Sequence, residues 1–127
     1  MAAQKNVMIV GIDPALVDFT APGLPPGMTA EKVLAALQAD EKHLNGLGYT
    51  VVMCYTDLGE TAEAVVAKRL KEKRFDCVLI GGGVRLPPAN LLLFEKLINV
   101  VHEGAPRAKI CFNTNPADSA QAVQRWI

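Results

Sequence analysis

Several features that would narrow the function of a chain are missing from these 127 residues. There is no excess of charge of either sign: 13 Lys and Arg balance 13 Asp and Glu. No long-range field therefore steers the protein toward nucleic acid or an anionic membrane, and neither partner is expected. Long apolar runs are missing too. The amino-terminal MAAQKNVMIVGID holds one lysine and a few apolar residues before Asp13, too little for a signal-peptide core or a membrane span, so a cytoplasmic location is expected. Cysteine is scarce and odd in number. Cys54, Cys77 and Cys111 lie inside apolar runs and form no C-x-x-C pair, which reads as reduced thiols packed as small hydrophobes, with no disulfide and no zinc. The two histidines, His43 and His102, are far apart and have no ligand neighbour at helical spacing, so surface or interface roles are favoured and no metal or cofactor is expected.

What is present suits one domain spanning 1–127: half the residues are hydrophobic and 20% are charged. Four β-branched apolar runs recur, NVMIVGI (Asn6 to Ile12), YTVVMCY (Tyr49 to Tyr55), FDCVLI (Phe75 to Ile80) and AKICF (Ala108 to Phe112), each nearly continuous as in strands covered on both faces. Helical spacing fills the gaps. Leu34, Leu37 and Leu44 share one face after the N-cap candidate Thr29, and Gly46 stands where a C-terminal glycine belongs. Ala62, Val65, Val66 and Leu70 face inward on a second helix with a basic last turn. A third runs from about Pro88 to Glu103, and a fourth opens at NPAD with Asn115 as cap. Strict β-α alternation predicts an α/β three-layer sandwich with a four-stranded parallel sheet in the order 2-1-3-4 and helices on both faces.

In that order the topological switch point lies between strands one and three, and ligands of such sheets sit outside the carboxyl ends of the strands there. The candidate ligand-binding residues are therefore Gly11 and Asp13 after the first strand, Gly81, Gly82, Gly83 and Arg85 after the third, and Asn113 after the fourth. Glycines after a buried strand let a ligand reach main-chain N–H groups, and a guanidinium beside them suits a phosphate or carboxylate. Two readings stand: a site for an anionic small molecule, or a tight turn with Arg85 paired to a local acid. Asp13 before Pro14 equally suits a turn, and Asp57 with Glu60 has capping-box spacing. The Pro/Gly-rich stretch from Asp13 to Met28 is expected to cross the carboxyl edge as a lid or a structural wrap, pinned by Val17, Phe19 and Leu24. The basic run from Lys68 to Arg74 reads as the solvated face of an amphipathic helix.

The competing function is a non-enzymatic module. The third helix carries apolar residues around most of its circumference, so a homodimer through Leu91, Phe94, Leu97, Ile98 and Val101 is expected, unless neighbouring elements of the same chain cover them. Nothing in the sequence decides whether the chain is an enzyme.

The alternating layout resembles flavodoxin-like and Rossmann-like domains across the whole chain, and that resemblance implies architecture alone. VGIDPA lacks the G-x-G-x-x-G of dinucleotide binders and the Ser/Thr-rich phosphate loop of flavodoxins, and Gly81 stands where response-regulator receivers carry their phospho-accepting Asp. The segments LLLFEKLINVVHE and ICFNTNP are similar to those of a family of small uncharacterised bacterial proteins, which supplies no catalytic residue to transfer.

Overall fold

The computed structural model describes residues 4–127. Its four strands are β1 (Asn6–Ile12), β2 (Thr50–Thr56), β3 (Cys77–Ile80) and β4 (Lys109–Phe112), all parallel in the order β2-β1-β3-β4. The central pair β1 and β3 is almost wholly buried, which is why its sequence is continuously apolar. Register follows the pleat: Val7 pairs with Val51 on one side and Cys77 on the other.

Five helices connect and flank the strands: α1 (Ala30–Gly46), α2 (Ala62–Glu72), the single turn α3 (Gly82–Arg85), α4 (Leu91–Gly104) and α5 (Ser119–Gln124). Alternate residues of each strand feed two cores. Met8, Val10 and Ile12 of β1 pack with Val66 of α2 and Leu97 of α4, whereas Val7 and Ile9 pack with Leu44 of α1 and Val123 of α5. The layers are therefore α2/α4, sheet, α1/α5, and each fully buried Val, Leu or Ile contributes about 1.5–3 kcal/mol of transfer free energy.

Two expectations need correction. On α1 the inward stripe is Val33, Leu37, Asp40 and Leu44, while Leu34 is 40% exposed. On α4, a 3-10 turn at Pro88–Asn90 precedes the helix, and Leu93, Leu97 and Val101 belong to the chain's own core with Phe94, Ile98 and Val100 packed beside them. Leu97 and Val101 are thus unavailable as a dimer face. Only Leu91 (60%) and Leu92 (65%) stand out as exposed leucines of that helix. Among the described residues no helix is long and apolar enough to cross a membrane.

Candidate functional site

A cavity of about 110 Å³ lies at the carboxyl edge, at the crevice between β1 and β3. Its floor is Gly11 and Ile12 from the end of β1, with Gly81, Gly82 and Gly83 from the turn after β3. One wall is α1, through Val33 and Leu37. The segment between β1 and α1 supplies the opposite wall through Val17, Phe19, Leu24, Pro25 and Met28, and Leu86 closes the side. Among the described residues its polar groups come from Asn113, Thr114 and Asn115 after β4 and from backbone. Among the described residues no Asp, Glu, His, Cys, Lys or Arg lines it.

The segment that forms this opposite wall is ordered by short-range chemistry. Asp13 accepts from Ala15 N–H at 2.9 Å and starts a 3-10 turn at Pro14–Leu16, and Asp18 accepts from both the amide and the hydroxyl of Thr20. The Thr20 bonds hold the Asp18 carboxyl below the usual range. Val17, Phe19 and Leu24 are half-buried along the cavity, as expected of residues that pin the segment.

The glycine turn is not an open nest. Gly81 is the N-cap of α3, and Gly82 N–H donates to Asn113 Oδ1 at 2.9 Å. Asn113, itself buried, donates through Nδ2 to Ser119 Oγ at 2.9 Å, and Ser119 Oγ donates to Asp40 Oδ2 at 2.6 Å. This chain joins α3, the β4–α5 connection and α1, which are three walls of the cavity. Burial pushes the Asp40 carboxyl up; the Ser119 bond opposes that shift and the nearby Asp118 adds to it. Asp118 closes a capping box with Asn115 and also holds Thr114 through its amide and hydroxyl. Burial works against the Asp118 carboxylate, but the Thr114 and Asn115 bonds outweigh it and hold its pKa below the usual range.

Arg85 goes elsewhere. Its guanidinium donates to Asn113 O at 2.9 Å and sits over the Phe112 ring, 5.8 Å from the centroid, while Nε is buried with no partner. Of the seven residues singled out by sequence, Gly11, Gly81, Gly82, Gly83 and Asn113 therefore line the cavity, and Asp13 and Arg85 do not. The α1 wall was missed because Leu37 read as ordinary core and Val33 was not singled out. Among the described residues no group of three His, Cys, Asp or Glu could hold a metal ion. Asp57 accepts from Gly59 and Thr61 and so organises the turn before α2; those bonds lower its pKa.

Two glycines of the site have no packing reason to be glycine. A Cβ added at Gly11 or Gly83 would meet no atom within 4 Å, and neither has a positive φ. Glycine inside a strand or helix is destabilising by roughly 0.5–1 kcal/mol relative to alanine, so both positions leave room at a local cost. A scan against protein-family models finds no match for this chain, and a search of the curated proteins returns none.

Proposed function

We propose that this chain binds a small molecule at the carboxyl edge of its sheet, with an apolar body between the 17–28 segment and α1 and a polar end at the Gly81–Gly83 turn and Asn113. The observation that carries this reading is the pair of bare glycines, Gly11 and Gly83, both lining an otherwise apolar cavity at the switch point. An engineered apolar cavity of about 150 Å³ accepts benzene. At about 110 Å³ this one accommodates a fragment of nearly that size, and a larger ligand extends into solvent or displaces the segment.

The polar end is better neutral than anionic. Arg85 is committed to Asn113 and Phe112, and the acids Asp13, Asp18, Asp57, Glu60 and Asp118 all follow strand ends at this edge. The absence of acid–base side chains from the lining favours binding over proton-transfer catalysis. The test is a fragment screen read by protein-observed NMR, covering neutral amides, carboxylates and phosphates. Hits should move the amides of Gly11, Gly83 and Asn113 and be lost in Gly83→Val; hits that map elsewhere or survive that substitution overturn the reading.

A second reading, a self-associating module, is favoured by the adjacent exposed Leu91 and Leu92 alone. Light scattering that finds only monomer at high protein concentration removes it.

A further inference from the structure

The opposite edge of the sheet carries a second and chemically different concavity. Where β3 and β4 begin, an open groove of about 510 Å³ runs between the end of α2 and the α4–β4 connection. Leu70 and Phe75 form its floor, and Lys71, Lys73, Arg74 and Arg107 line it. None of these four cations has a carboxylate at ion-pair distance: the pairs among the described residues are Arg69–Glu72 and Lys96–Glu63. The segments 69–76 and 103–109 carry Arg69, Lys71, Lys73, Arg74, Arg107 and Lys109 against Glu72, which is paired with Arg69, Glu103 and Asp76, which accepts from Asn6 N–H at 2.8 Å, and about half a negative charge at each of two helix carboxyl ends, so the balance stays positive. In a chain of zero formal charge this is a local segregation, basic at the amino edge and acidic at the carboxyl edge.

The backbone that carries these side chains is fixed. Asn6 Nδ2 donates to Arg74 O at 2.7 Å, and Ala108 N–H donates to Ala105 O at 3.0 Å across the turn that holds Arg107. We propose that the groove binds a small molecule bearing two or more linked phosphates, gripped between the α2 end and the α4–β4 turn. Two guanidinium forks suit phosphate oxygens bidentately, and the two carrier segments give two separate poles for successive phosphates. The volume falls within the range of small-molecule clefts, about 300–1,000 Å³. Phe75 is buried, so the groove lacks the exposed stacking ring that a single-stranded nucleic acid would use.

Calorimetric titration of the full chain with tripolyphosphate tests this, beside Lys73→Gln/Arg107→Gln and a control with the same charge change outside the groove, Lys42→Gln/Lys96→Gln. Saturable one-site binding is expected, weakened by about tenfold or more in the groove variant and within about twofold in the control, and weakened again between about 50 and about 200 mM salt. Amide shifts of the unmodified protein should map to residues 70–76 and 104–108, a readout that does not depend on either variant folding. No saturable heat, equal loss in the control, or shifts at Gly81–Gly83 in place of the groove would each overturn the proposal; the last would instead restore an anion to the carboxyl-edge cavity.

Discussion

Gly23 and Gly27 form a matched pair for asking whether the segment over the cavity is a fixed wall. Both have positive φ, +96° and +80°, so alanine at either is strained by about 1–2 kcal/mol. Only Gly23 also touches something. An added Cβ there would lie 2.6 Å from Leu86 O, whereas nothing comes within 4 Å at Gly27. Relief needs a separation of about 0.8 Å between the segment and Leu86, and a gap of that size forfeits a quarter to a half of each dispersion contact it opens. Overpacking adds about 1–3 kcal/mol. Gly23→Ala should thus cost about 2–5 kcal/mol in urea unfolding and Gly27→Ala about 1–2. If local detachment is easier than the clash, the global cost is capped by the opening free energy and appears as faster amide exchange at 17–28 with the strands unchanged. Equal costs for the two variants together with unaltered exchange at 17–28 in Gly23→Ala would refute the claim that the segment is seated on Leu86.

Asp40 makes stability depend on pH in a direction that can be isolated. Its folded pKa is raised above its unfolded value, so its contribution is fully present below the unfolded pKa near 4 and is lost as pH rises through the folded value. Asp40→Asn should remove that slope and be at least as stable as wild type at pH 7; a variant clearly less stable at neutral pH would show that the charge itself is needed. Arg85→Met exchanges a charge-assisted bond for relief of an orphaned Nε and should change stability by no more than about 1 kcal/mol. It should also leave cavity fragments bound as tightly as before, and loss of binding would place the guanidinium in the site after all. All three cysteines are buried, with Sγ of Cys77 and Cys111 3.4 Å apart; their shared hydrogen bond and then burial raise the Cys77 thiol, and burial raises that of Cys54. Cys54 and Cys77 should react with a thiol reagent only as fast as the chain opens, and prompt labelling of the native protein would contradict their burial.

The sheet was legible because its signals are local. Four continuous apolar runs separated by helical spacing imply parallel strands with right-handed crossovers, which leave few topologies, and the observed order β2-β1-β3-β4 is one of them. The site was legible only as a place. Gly81–Arg85 read equally as an anion site or a tight turn because its cap, Asn113, arrives from β4, far along the chain. For the same reason Arg85 read either as an anion ligand or as the partner of a local acid: Phe112 and Asn113, which hold it, are not sequence neighbours. On α1 the true stripe was hidden by Asp40, a carboxylate at a buried position that a hydrophobic pattern passes over in favour of Leu34.

The same Asp40 explains how the cavity keeps its shape. A buried carboxylate is tolerated where its lone pairs are used, and Ser119 uses one at 2.6 Å. Ser119 then accepts from Asn113, whose Oδ1 takes the first free N–H of α3. Each link satisfies the polar group that the previous one leaves over, so removing any member orphans its neighbour inside the protein, at about 1–3 kcal/mol. The same chain fixes α1 and its Leu37, the Gly82–Gly83 turn and the Asn113 rim relative to one another, since one bond in the series ends on each. An apolar core packs well in several arrangements of nearly equal volume, whereas a hydrogen-bonded chain of fixed lengths admits few. Its cost in burying a carboxylate is thus repaid in the relative placement of three cavity walls.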